Sequence, residues 1–158
     1  VEPKTQLEKH EILQIQDLVR RVPVASPVIH YALELVRCTR PHQQESDYLR
    51  KNGESGRTAN PAADIIDRMV SFGAGPRAVQ NLLVGAKAWA LIQGRNHVAI
   101  EDIRDLARPV LRHRIITNYT ADAEGRTSDD IVNLLMERLS SRHVTEGADG
   151  DFAQVLRS

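Results

Sequence analysis

Residues 71–95 read SFGAGPRAVQNLLVGAKAWALIQGR and predict one long, mostly apolar helix around which the chain is organised. Gly73 and Gly75 are expected to permit a tight turn that a Cβ would obstruct. Pro76 follows at the first helical position, where its missing N–H costs nothing, and Gly94 supplies a left-handed cap at the far end. The apolar side chains between these ends recur at helical spacing. They are Ala78, Val79, Leu82, Leu83, Ala86, Ala90 and Leu91.

Arg77 is the one charged residue in the first turn of this helix. A cation is mildly unfavourable there, because the positive end of the helix dipole favours anions. The same position suits a phosphate ligand, which a guanidinium and free helix N–H groups can bind together. From the chemistry alone, a solvated arginine that turns away from the helix end is the favoured interpretation, since lone arginines at helix starts are common.

Two amphipathic helices are predicted ahead of this stretch. The first begins at a capping box of Thr5 and Glu8 and ends near Arg21. Its apolar stripe comprises Ile12, Ile15, Leu18 or Val19, and Val22. The second begins with Ser26 as N-cap and Pro27 as first residue. Its predicted buried residues are Val28, Ala32, Leu35, Val36 and Thr39. Because the connection is short, we expect the two helices to pack as an antiparallel pair.

Residues 41–60 have few apolar side chains and are predicted to be a flexible loop. The sequence GESGRT at 53–58 does not fit the phosphate-loop pattern, because Lys51 and Arg57 replace the required glycine and lysine. After this loop, residues 61–69 predict one or two helical turns or an extended lead-in. Alternation at residues 69–72 favours a short strand, whose partner would be IITNY at 115–119.

Two further helices are predicted after Gly94. Ile100 and Ile103 mark the first, which has Ala99 at its cap and which Pro109 is expected to break or kink. A capping box of Thr127 and Asp130 opens the second. Its inward-facing residues are Ile131, Leu134, Leu135 and Leu139. The fold class predicted from all these elements is all-α, a small bundle of five to six helices with one minor two-stranded ribbon.

The composition excludes several classes of function. The chain has 158 residues, with 21 basic and 21 acidic, so no overall field attracts nucleic acid or an anionic membrane. A single cysteine, Cys38, favours a cytoplasmic location, and no apolar run approaches the ~20 residues that cross a bilayer. The six histidines lack metal-ligand spacing, so no metal site is predicted. The sequence begins at Val1 without a signal peptide, and we expect it to be part of a longer protein.

Arginines form the only dense basic cluster of the sequence. Arg104, Arg108 and Arg112 lie four residues apart and are followed by His113 and Arg114. Nearby acidic residues at helical spacing favour a solvated face or a protein interface. Nucleic-acid binding is an alternative, although no aromatic residues are interleaved with the arginines. Contact with a nucleotide or a neighbouring subunit is the third interpretation.

Several motifs in collinear order resemble the small helical lid domain of MoxR-type AAA+ ATPases, over roughly Glu11 to Leu139. These motifs are GAGPRA at 73–78 with the apolar helix after it, GR at 94–95, VxxED at 98–102, PVLRHR at 109–114 and AEGxTxDD at 123–130. The LRHR element is also similar to the lid of the related magnesium-chelatase subunit.

The resemblance implies a role for individual residues. Arg77 matches the sensor 2 arginine, which contacts the γ-phosphate of ATP, and residues 73–76 form its supporting turn. Arg112 and Arg114 become candidates for subunit-interface or nucleotide contacts. The resemblance also implies that residues 1–142 are the lid and that 143–158 are a polar tail.

The same resemblance implies ATP and Mg²⁺ as cofactors, with Mg²⁺ bound by an N-terminal nucleotide-binding core that this chain lacks. Partners would be that core, the other subunits of a hexameric ring and a client protein of unknown identity. The full-length protein would hydrolyse ATP and drive chaperone-like assembly or activation of the client, whereas this chain alone would not hydrolyse ATP. The alternative function is a non-enzymatic helical module that binds protein or DNA.

Overall fold

The computed structural model describes residues 7–41, 60 and 62–140, which contain seven helices and one two-stranded ribbon. The elements in chain order are α1 (Lys9–Arg21), α2 (Ser26–Cys38), α3 (Ala63–Met69), β1 (Val70–Phe72), α4 (Arg77–Ile92), α5 (Ile100–Leu111), β2 (Ile116–Thr117), α6 (Tyr119–Ala123) and α7 (128–140). The predicted all-α class is confirmed, and the higher helix count reflects the two short helices α3 and α6. Thr5, most of the predicted loop at 41–60 and the tail at 143–158 lie outside the described residues.

Helix α4 is the centre of the bundle, as its sequence predicts. It packs against α1, α2 and α5, and its buried residues are Ala78, Leu82, Ala86 and Ala90. Gly94 adopts a φ of 73° just beyond its end. Two backbone hydrogen bonds complete this Schellman cap, from Gly94 N to Leu91 O at 2.9 Å and from Arg95 N to Ala90 O at 2.8 Å. The predicted glycine cap is therefore confirmed.

The expected antiparallel pairing of α1 with α2 is wrong. Helix α1 makes its main contacts with α4, and Lys87 Nζ of α4 donates a 3.0 Å hydrogen bond to the Arg20 carbonyl. The connection between α1 and α2 is extended, and Val24 forms a parallel bridge with Val98. Helix α2 itself begins one residue earlier than predicted, with Ala25 as N-cap.

Helix α1 remains largely exposed. None of the residues within it is buried, and the predicted stripe reaches the core only at Val22, just after the helix. Four large apolar side chains of α1 are 45–55% exposed, namely Ile12, Leu13, Ile15 and Leu18. The described bundle therefore covers only one edge of this helix.

The predicted ribbon is confirmed. Strands β1 and β2 are antiparallel, with Val70 opposite Thr117 and Phe72 opposite Ile116, and the register is irregular between these pairs. Asn118 extends the connection, because its N–H donates to the Met69 carbonyl at 2.9 Å and its side chain donates to the Arg68 carbonyl at 2.8 Å. The ribbon leads directly into the loop at residues 73–76 that precedes α4.

The start of α7 also follows its sequence signal. Thr127 N–H and hydroxyl each donate to Asp130 Oδ2 at 2.8 Å, and Asp130 N–H donates to Thr127 Oγ1 at 3.3 Å. These bonds from Thr127 lower the pKa of Asp130. Ile131, Leu135 and Leu139 are buried beyond the box, together with Val132. The predicted capping box is confirmed.

A buried ion pair joins the end of α4 to the start of α5. The Asp102 carboxylate is 1% exposed and accepts hydrogen bonds from Nη1 of Arg95 at 2.9 Å, from Nη2 of Arg95, and from the Ala99 N–H at 2.8 Å. Asp102 thus supplies half of a capping box, although Ala99 has no side-chain acceptor. The GR motif at 94–95 and the ED motif at 101–102 therefore have a structural role, because Arg95 and Asp102 join the two helices.

Of the two outcomes expected at Pro109, a break or a kink, the break does not occur. The helix continues to Leu111, and the side chains of Ile103, Ala107 and Leu111 are fully buried on one face of it. Core packing on both sides of the proline thus outweighs the loss of one backbone hydrogen bond.

Asp102→Asn should lower the free energy of unfolding by about 2 kcal/mol at pH 7, because hydrogen bonds to a charged acceptor are lost. The Arg95 guanidinium, followed by the Ala99 N–H, lowers the pKa of Asp102 in the folded chain. The contribution of this carboxylate is therefore complete above its unfolded pKa of about 3.9 and disappears as the pH falls through the folded value.

Urea unfolding at pH 7 and at pH 3 measures this effect, and the difference between wild type and Asp102→Asn should narrow at the lower pH. Asp64→Asn is the control, since Asp64 is exposed in the first turn of α3. A difference that stays constant across the two pH values would contradict the assignment.

Candidate functional site

Arg77 is the first residue of α4 and is exposed to solvent. Its side chain forms no hydrogen bond or ion pair with any other described residue. Pro76, at the N-cap position, already has helical φ and ψ of −57° and −30°, one residue before the start of the helix. A cation is thus left accessible at the end of the helix that packs against three others.

The backbone N–H groups at this helix end are less accessible than expected. The Ala78 N–H donates to the Gly75 carbonyl at 3.0 Å, and the Val79 N–H donates to the Pro76 carbonyl at 3.1 Å. These tight, 3₁₀-type bonds satisfy donors that would otherwise face a ligand. The guanidinium of Arg77 is therefore the principal group that this site offers to an anion.

The two glycines before Arg77 have different roles, and neither has the positive φ that would favour glycine over other residues. In the described residues, positive φ occurs only at Gly94 and Gly125. A Cβ on Gly73 would overlap the Thr39 carbonyl and would lie 2.7 Å from the Cα of Arg40. A Cβ on Gly75 would meet nothing within 4 Å. Close approach to the end of α2 explains Gly73, whereas the expected obstruction at Gly75 is wrong.

Two residues that the sequence did not single out for this site hold the loop before Arg77. Thr39 Oγ1 accepts a 2.8 Å hydrogen bond from the Ala74 N–H, and Arg40 Nε donates a 3.0 Å hydrogen bond to the Ala74 carbonyl. The sequence pattern predicted burial of Thr39 but not its bond across 35 residues of chain. A threonine among buried apolar positions is the one local signal that could have indicated this contact.

The other predicted site arginines have partners within the chain. Arg112 pairs with Asp129 at 2.8 Å and so links the end of α5 to α7. Arg114 donates to the Val110 carbonyl and lies against His113. Arg104 and Arg108 are exposed on α5 with Arg112. Partnering with Asp129 reduces the positive charge that this row presents to a phosphate backbone.

The described residues contain no group of three or more metal-ligating side chains. They also contain no helix long and apolar enough to cross a membrane. The described part of the chain thus presents an arginine for binding an anion, without a set of carboxylates that would hold Mg²⁺ beside it.

Comparisons with known proteins give a consistent family. Residues 62–135 match the family model described as AAA lid domain. Over 134 residues the chain is 25% identical to "Chaperone MoxR1" of Mycobacterium tuberculosis. The aligned region covers 85% of this chain and 31% of that protein. Over 65 residues it is 37% identical to "Protein MoxR" of Paracoccus denitrificans, which covers 41% of this chain and 19% of that protein.

One solved structure is also similar. The crystal structure of a "putative ATPase" from Cytophaga hutchinsonii superposes with a TM-score of 0.67 and 29% sequence identity, covering 82% of this chain and 34% of that one. The chain spans about a third of the length of the relatives that it matches over most of its own length.

Gly73→Ala should destabilise the chain by about 2 kcal/mol or more, because the new methyl group would meet backbone atoms that cannot move without disturbing α2. Gly75→Ala is the matched control and should change stability by less than about 0.5 kcal/mol. Urea unfolding of both variants measures the difference. Equal effects of the two substitutions would contradict the close approach described for Gly73.

Proposed function

We propose that this chain, whose residues 62–135 match the family model described as AAA lid domain, is the lid of a MoxR-type AAA+ ATPase. In this proposal Arg77 is the sensor 2 residue, which contacts the γ-phosphate of ATP when the lid closes over a nucleotide-binding core. The core precedes the lid in the full-length protein. The lengths of the relatives support a longer full-length protein, since the chain spans about a third of them.

The observation that carries the proposal is the exposed Arg77 at the start of the central helix α4. The guanidinium has no partner among the described residues, so a phosphate would not have to displace an existing ion pair. Its planar donors match phosphate oxygens in two parallel hydrogen bonds. The rest of the loop is held by Thr39 and Arg40, so the charge is mounted on a defined backbone.

The mechanism follows from the position of this charge. ATP, bound with Mg²⁺ by the core, supplies the γ-phosphate and its negative charge. Arg77 donates hydrogen bonds to that phosphate, and these strengthen as lid closure excludes water. After hydrolysis and phosphate release Arg77 loses its partner, so the closed angle of the lid is no longer favoured.

The change in lid angle is the output of the domain in this proposal. In a hexameric ring, α4 carries the movement of Arg77 into the bundle, because it packs against three other helices. Neighbouring subunits then pass the movement to a client protein. The relative named "Chaperone MoxR1" supports a chaperone-like role in assembly or activation of that client.

In the full-length protein, Arg77→Ala should lower ATP turnover by more than about tenfold, since a charge that acts on the transferring phosphate is lost. Arg77→Lys should give an intermediate rate, because lysine keeps the charge without the paired donors. Steady-state phosphate release measures turnover, and circular dichroism checks that each variant folds.

Arg104→Ala is the control for this substitution. Trp89 Nε1 of α4 donates to Asp105 at 3.0 Å, so the turn of α5 that carries Arg104 packs near residue 89 of α4, roughly 18 Å along that helix from Arg77. That distance exceeds the Debye length of about 8 Å, and turnover should change by less than about twofold. An unchanged rate in Arg77→Ala would remove Arg77 from the site.

The 158-residue chain on its own should hydrolyse no ATP, because the described residues supply one phosphate contact and no metal-binding cluster. Phosphate release by the purified chain with ATP and Mg²⁺, compared with a buffer blank, tests this expectation. Turnover that persists through purification and disappears in Arg77→Ala would show that the catalytic centre lies within this chain.

A further inference from the structure

The end of α2 binds the loop before Arg77 through three adjacent contacts. Thr39 is fully buried, and its hydroxyl both donates and accepts a hydrogen bond. It donates to the Val36 carbonyl at 2.7 Å and accepts from the Ala74 N–H at 2.8 Å. A hydroxyl has one donor, so its orientation is set by Val36 and its acceptor side faces Ala74.

Arg40 completes the attachment on the other side of the same residue. Its Nε donates to the Ala74 carbonyl at 3.0 Å, so both backbone polar groups of Ala74 are bound by consecutive residues of the α2 end. Gly73 packs directly on the backbone of Thr39 and Arg40. Ala74 is itself 1% exposed. The loop therefore has almost no freedom at residues 73 and 74.

Little flexible chain remains between this attachment and Arg77. Only Gly75 and Pro76 intervene, the proline ring fixes its own φ, and both residues already accept the first helical hydrogen bonds. We propose that Thr39 and Arg40 are positioning residues that orient Arg77 for the γ-phosphate by holding Ala74. The inference rests on the proposed function of Arg77 and adds two residues that never touch the nucleotide.

The test is a double-mutant cycle on ATP turnover by the full-length protein. Thr39→Val is nearly isosteric and removes the hydroxyl, and it should lower kcat by about tenfold, because small misplacements of a catalytic group cost this much or more. Thr39→Ser keeps the hydroxyl and should recover most of the rate. In an Arg77→Ala background, Thr39→Val should change kcat by less than about twofold, since its effect passes through Arg77.

Arg40→Lys provides a second, independent variant. It keeps the positive charge and loses the Nε donor to Ala74, so it should lower kcat in the same direction and also become silent in the Arg77→Ala background. Hydrogen exchange in the 158-residue chain supplies the structural readout. The Ala74 amide should exchange at least about tenfold faster in Thr39→Val than in Thr39→Ser.

The outcomes separate the two proposals. A Thr39→Val effect that is equally large with and without Arg77 would overturn the positioning role, as would an unchanged kcat or unchanged exchange at Ala74. An Arg77→Ala variant with normal turnover would overturn the proposed function and the positioning role together. If Arg77→Ala lowers turnover as expected but the effects of Thr39→Val and Arg77→Ala on kcat are additive, the positioning role alone is overturned.

Discussion

The close packing made possible by small residues on α4 is the constraint on which the rest of the structure depends. Ala78, Ala86 and Ala90 are fully buried or nearly so, which lets neighbouring helices approach the α4 backbone. Gly85 extends this surface, because a Cβ there would lie only 3.0 Å from Leu106 Cδ1 of α5. Helices α1, α2 and α5 thus all pack against α4. The contacts with three helices give its N-terminal end a defined direction.

The site combines a backbone held by several contacts with an exposed side chain. Hydrogen bonds to Ala74 and the contact at Gly73 fix the backbone, whereas the guanidinium of Arg77 stays exposed and unpaired within the described residues. An arginine already bonded to a carboxylate, as Arg95 is to Asp102 or Arg112 to Asp129, would have to give up that partner before it bound an anion. The chain therefore uses arginine in two ways, for joining helices and for presenting a charge.

Local sequence signals predicted much of this fold, because caps and turns depend on residues close together in the chain. Gly94, the Thr127–Asp130 box and the strand at 70–72 were all recognisable in this way. Features that depend on distant residues were not. The pairing of α1 with α4 and the bond from Thr39 to Ala74 join segments whose proximity no local pattern reveals. Arg77 was singled out by its place at a helix start, but its proposed role came from the family resemblance.

The exposed state of α1 has a consequence for how the chain loses structure. A helix of 13 residues is marginally stable in water by itself. Helix α1 buries none of its own residues, and its ties to the bundle are an edge of α4 and the bond from Lys87 to Arg20. We therefore expect its unfolding to cost less free energy than the opening of α4. Among the described helices, we expect thermal unfolding to begin at α1 while the contacts that hold Ala74 are still formed.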